Sequence, residues 1–155
     1  MITNKHIALA TLVASALAFP ALGSTKNPVE RPFRGEATVT WVVNMLNGSA
    51  TGQETGVGTH IGLYANESSA IWDLNNFVIV SGTGVVTTAD GEQAFWRMTP
   101  DQPGIVQVTG GTGRLENVTG SLEAVPPLEP IITVDWTTMT MTMTITYTAV
   151  GTLTY

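Results

Sequence analysis

From Thr138 to Thr148 every even-numbered residue is threonine, and the residues between are Met139, Met141, Met143, Ile145 and Tyr147. A repeat of two puts one set of side chains on each face of an extended chain, and so many β-branched threonines exclude a helix. The segment is therefore a strand with an apolar face for a core and a hydroxyl face for water. Its edges must find partners elsewhere in the chain. Glu36 to Met45 supplies one: Ala37, Val39, Trp41, Val43 and Met45 alternate with Glu36, Thr38, Thr40 and Asn44, and only Val42 breaks the pattern.

The remaining segments read as short strands separated by turn chemistry. Gly48 to Gly56 reads as a polar loop, and Val57 to Tyr64 as a second strand with Gly58, His60 and Gly62 on one face. Ala65 to Asn76 reads as a loop around a short strand at Ala70-Ile71-Trp72. Phe77 to Val80 is apolar, and Gly82 and Gly84 are expected to interrupt the pattern as a bulge or a bend of a curved strand. Asp90-Gly91 predicts a hairpin, with Ala94, Trp96 and Met98 facing in and Arg97 facing out on the returning strand. Ser121 to Val125 is a further short strand. Pro126, Pro127 and Pro130 lack ladder donors and mark a loop or the seam of the sheet. No stretch reads as a long amphipathic helix. The expectation is an all-β antiparallel barrel or sandwich.

Between Thr109 and Ser121 the chain reads GGTGRLENVTG. Gly110, Gly111 and Gly113 permit a sharp reversal. Leu115 and Val118, three apart, share one side of a single helical turn. The stretch predicts a plug: a tight turn, then one turn of helix covering the end of a sheet or barrel, with Gly120 releasing the next strand. It lacks the Lys-Ser/Thr ending and long following helix of a phosphate-binding loop.

This stretch resembles the "GGTGxFxxAxG" segment of the allene oxide cyclase and dirigent superfamily, and of small secreted bacterial proteins that share its fold. Gly58-Thr59-His60-Ile61-Gly62 is similar to the "THLG" segment of the bacterial members, and Gly151-Thr152-Leu153-Thr154-Tyr155 to their final strand. Leu115 and Val118 stand where the family usually carries Phe and Ala, and Thr119 where dirigent proteins tend to carry Arg. The resemblance implies an eight-stranded antiparallel barrel. It carries over no catalytic residue.

A chain of 155 residues is enough for one domain. Lys5 and His6 precede an apolar run from Ile7 to Leu17, Pro20 breaks it, and Ala21-Leu22-Gly23 is a cleavage signature. Residues 1–23 are thus expected to be a removed secretory signal, 24–33 a flexible lead-in and 34–155 the barrel. A run this short favours a signal over a spanning anchor. The absence of Cys excludes disulfides, a thiol nucleophile and thiolate metal ligation. After residue 23, five basic residues face twelve acidic ones, a balance that repels nucleic acid and anionic membranes. The expected location is secreted or periplasmic, with no nucleic-acid partner, no membrane partner once the signal is gone, and no cofactor.

Chemistry is sparsely represented. His60 is the one imidazole after the signal, and no Gly-x-Ser-x-Gly elbow accompanies it. Glu36 with Asp73 or Asp135 could pair only through the fold. Three Asn-x-Ser/Thr sequons, at Asn47, Asn66 and Asn117, read as chance occurrences. The candidate ligand-binding residues are Trp41, Trp96, Met139, Met141, Met143 and Tyr147, whose adaptable thioethers and aromatic rings suit a small apolar molecule inside a barrel. The competing reading is a filled core, since barrels of about eight strands are just wide enough for side chains to close them. Functional readings are therefore non-covalent binding of a small apolar molecule or a non-catalytic scaffold. The alternatives are an isomerase or cyclase working by pocket shape, and a small outer-membrane barrel, for which the threonine face and few aromatics are poorly suited.

Overall fold

The computed structural model describes residues 27–125 and 130–155. The expected signal, residues 1–23, lies outside them. Among the described residues nine antiparallel strands run in chain order: β1 Glu30–Asn44, β2 Ser49–Gly58, β3 Gly62–Asp73, β4 Val78–Thr88, β5 Gln93–Met98, β6 Ile105–Gly111, β7 Thr119–Val125, β8 Ile131–Asp135 and β9 Thr140–Thr154. Each pairs with its sequence neighbour from β1 to β7, and β9 then closes the sheet by pairing along its whole length with β1. The other edge of β9 is shared, with β7 along Thr148–Thr154 and β8 along Thr140–Thr144. β7 and β8 thus form one interrupted stave, and eight staves make a closed barrel.

The two clearest alternations form its best-paired seam. Trp41 lies opposite Met143 and Val43 opposite Met141, all buried. On the outside, Thr38 bonds Thr146 at 2.9 Å and Thr40 bonds Thr144 at 3.1 Å. β1 begins at Glu30, inside the stretch read as lead-in, because Glu30 to Arg34 pair with Thr154 to Val150. Pro32 is tolerated because pairing with β2 begins only at Gly35, so its missing N–H can face the unpaired edge. β9 starts at Thr140; Met139 belongs to the preceding turn, with φ of 53°.

The middle of the chain departs from the sequence reading. Residues read as a polar loop form β2, and the segment read as a strand contains the β2–β3 turn, with His60 at φ of 71° between Gly58 and Gly62. Ala65–Asp73, read mostly as loop, is strand. The reason lies in the inward residues, Gly52, Glu54 and Gly56 on β2 and Asn66 and Ser68 on β3, which are small or polar and leave no apolar periodicity. The bulge falls not at Gly82 or Gly84 but between the pairs Ile71–Ser81 and Trp72–Ile79, where Val80 is the extra residue. Gly84 instead makes room: a Cβ there would lie 2.5 Å from the Trp96 ring. Asp90-Gly91 turns β4 into β5 as expected, with Gly91 at φ of 84°.

The glycine motif forms the plug. A single 3-10 turn, Gly113–Leu115, follows β6, and Leu115 and Val118 are 4% and 1% exposed. They pack with Phe33, Ala149 and Leu153 across one barrel end. Gly113 takes φ of 58°, and a Cβ on Gly111 would meet the Gln93 carbonyl at 2.1 Å, so the two glycines are required for different reasons. The β4–β5 hairpin clamps the turn from outside: Glu92 accepts from the Arg114 backbone N–H and Nε, both at 2.9 Å, and Asp90 also pairs with Arg114.

Candidate functional site

Three inward side chains, two from β3 and one from β9, converge on one carboxylate. Glu54 of β2 is 7% exposed. Its Oε1 accepts from Tyr64 Oη of β3 at 2.8 Å, and its Oε2 accepts from Tyr147 Oη of β9 at 2.8 Å and from Asn66 Nδ2 of β3 at 3.2 Å. Asn66 Oδ1 in turn accepts from Trp96 Nε1 of β5 at 3.0 Å. A buried carboxylate is tolerated when its oxygens are hydrogen-bonded, and here neutral donors hold it, with no cation in the set. Burial raises the Tyr64 and Tyr147 phenols far above their ordinary value, and the adjacent Glu54 charge raises them further. Both therefore remain protonated donors across any physiological pH.

That arrangement has a measurable alkaline signature. In the unfolded chain both phenols lose their protons near their ordinary pKa of 10.0, whereas in the folded chain they keep them. The stability tied to those protons is complete below that value and is lost as pH rises above it, at about 1.4 kcal/mol per pH unit for each tyrosine. Urea melts between pH 8 and 11.5 should show this decline. Tyr64→Phe and Tyr147→Phe should each remove about one tyrosine's share of the slope.

The sequence-predicted ligand residues divide into three places. Trp41, Met141 and Met143 sit in a closed apolar cluster with Val39, Val43, Ala50, Ala70 and Trp72. Trp41 and Trp72 meet edge to face with centroids 6.0 Å apart. Tyr147 and Trp96 belong to the polar network around Glu54, and Tyr147 also borders both apolar clusters. Met139 is in the turn before β9, where its carbonyl accepts from the Met45 N–H at 2.9 Å.

Of the other candidates, His60 is exposed on the β2–β3 turn, its ring edge-on to Tyr155 at 6.2 Å. Asp73 and Asp135 sit in turns, where side-chain hydrogen bonds from Asn76 and Thr138 first, and backbone N–H bonds from Asn75 and Thr137 next, hold their carboxyls below the ordinary value. The amide of the Asn66 sequon is buried and bonded within the barrel. Sequence reasoning missed Glu54, Tyr64 and Asn66. The available signal was an acid flanked by glycines at period two, Gly52-x-Glu54-x-Gly56, beside the alternating Tyr64, Asn66 and Ser68.

Compared with family models, curated proteins and solved structures, the chain gives no match in any of the three. The barrel and its interior therefore carry the functional argument by themselves.

Proposed function

We propose that the protein is a secreted or periplasmic barrel of the allene oxide cyclase and dirigent kind that acts without catalysis, as a rigid scaffold that binds from its outer surface. The observation that carries this reading is the occupied interior. Trp41, Trp72, Met141 and Met143 are all buried against one another, Leu115 and Val118 stopper one end, and the Glu54 carboxylate spends both oxygens on Tyr64, Tyr147 and Asn66. A nucleophile or base needs an atom free to meet a substrate, and this carboxylate is already engaged on both sides. Along the β1–β9 seam the outer face is rich in threonine and the large apolar residues turn inward, which supports a water-exposed barrel over one that faces lipid, while Leu63, Ile71, Phe95, Ile131 and Trp136 stand exposed elsewhere.

A second reading is favoured by one observation: Tyr64, Trp96 and Tyr147 point inward yet are only partly buried. A small apolar molecule with one hydrogen-bonding group could lie against them, and an isomerase or cyclase would find its buried carboxylate in Glu54. Native mass spectrometry of protein recovered from the periplasm or medium separates the readings. The scaffold reading expects the bare mass of a chain beginning at Ser24. A constant adduct released on unfolding would overturn it.

A further inference from the structure

The outer face of β1 to β6 is indented. An open groove of about 970 Å³ runs across these strands and adjoins a second hollow of about 730 Å³ nearer the β1–β2 turn. The inner side explains the indentation. Gly52, Ser68 and Gly84 form a row on neighbouring strands, and the Trp41 and Trp96 rings lie directly on the glycine positions, where Cβ atoms would be 2.8 and 2.5 Å from them. With nothing larger than serine at its own inner positions, this strip of sheet can lie close on the two indole rings and nearer the axis.

What faces the groove is chemically mixed but ordered. One row runs Gln53, Glu67, Val85 and Phe95, and the next runs Thr51, Ser69, Thr83 and Arg97, each opposite its neighbour in the ladder. Gln53, Glu67, Arg97, Thr51, Ser69 and Thr83 make no side-chain hydrogen bond or ion pair among the described residues, unlike the threonines of β1 and β9, which bond one another. Three planar polar groups and three hydroxyls are therefore uncommitted on a rigid floor. Among the lining residues the one acid, Glu67, and the one base, Arg97, are opposite in sign. The Phe95 ring, 37% exposed, stands at one end of its row, roughly 14 Å or three strand spacings from Gln53.

We infer that this groove binds a neutral oligosaccharide, with Phe95 stacking on the apolar face of one sugar ring and Arg97, Glu67 and Gln53 bonding the hydroxyls of the successive sugar units that cross β5 to β2. Planar amide, carboxylate and guanidinium groups each offer paired contacts to vicinal hydroxyls, and an aromatic ring beside them covers the C–H face of a pyranose. A charge-balanced groove selects against anionic and cationic polymers alike. An apolar ligand would leave the six free polar groups unpaired. The inference rests on the reading of the barrel as a scaffold that binds from outside.

Affinity electrophoresis through gels containing soluble xylan, glucomannan, dextran or glycol chitin tests it, followed by titration calorimetry with the hexasaccharide of whichever polymer retards the protein. At least one neutral polymer should retard it. Phe95→Ala should weaken binding tenfold or more, and Gln53→Ala and Arg97→Ala should each weaken it severalfold, with unchanged circular dichroism and thermal melts. Leu63→Ala, on an outer position 68% exposed and away from the groove, should bind like the parent. Retardation by none of the polymers, or full binding by Phe95→Ala, would overturn the inference while leaving the occupied interior untouched. Uptake of an apolar dye into the barrel would do the reverse.

Discussion

Leu115→Asp is expected to leave the chain unfolded at room temperature, or to lower its melting temperature so far that no cooperative transition survives above it. Leu115 is 4% exposed at the barrel end, packed with Val118, Phe33, Ala149 and Leu153. A carboxylate there has an apolar shell, so the change removes a packed side chain and buries an unpaired charge, a loss on the order of 4 kcal/mol or more. Domains of this kind are stable by about 5–15 kcal/mol. Arg114→Ala is the control on the same turn: its bonds to Asp90 and Glu92 are on the surface, and losing exposed pairs should cost about 1 kcal/mol or less. Comparable melts for the two variants would mean that the turn does not close the barrel.

Met141→Ala is expected to cost about 2–5 kcal/mol in chemical denaturation, the range for opening a hole in a packed interior. Met141 is 3% exposed and lies between Val43 of β1 and Val134 of β8. A pocket wall would respond differently, because its side chains already border empty space and little packing is lost on truncation. A cost below about 1 kcal/mol would place Met141 on a cavity.

The sequence made some of this fold legible and hid the rest for one physical reason. β1 and β9 were readable because their inner positions are large and apolar, Val39, Trp41 and Val43 against Met141, Met143 and Ile145, while their outer positions are mostly threonine. The plug was readable because Leu115 and Val118 are spaced for one helical turn among glycines. β2 and β3 were not, because a barrel needs its inner volume filled only once. Trp41 of β1 and Trp96 of β5 lie over their ladder partners, Gly52 of β2 and Gly84 of β4, so the inner positions of the strands between them are free to carry glycine, alanine and serine and lose the alternation that marks a strand. The Glu54 network was hidden by the same loss: a buried acid between glycines looks like loop composition until Tyr64, Asn66 and Tyr147 are brought to it. Trp96 and Tyr147 read from their alternation as pocket aromatics, yet each donates to this polar network, a role that period two cannot reveal.

Titration of the folded wild-type barrel with an environment-sensitive apolar fluorophore, while exciting its tryptophans, separates a closed interior with its function on the outer surface from a hollow one. A closed interior predicts no saturable uptake by the wild type and no energy transfer from Trp41, Trp72 or Trp96, with weak uptake appearing only in Met141→Ala, where a hole has been made. Stoichiometric binding by the wild-type protein, with tryptophan emission quenched in step and the effect lost on unfolding, would contradict it.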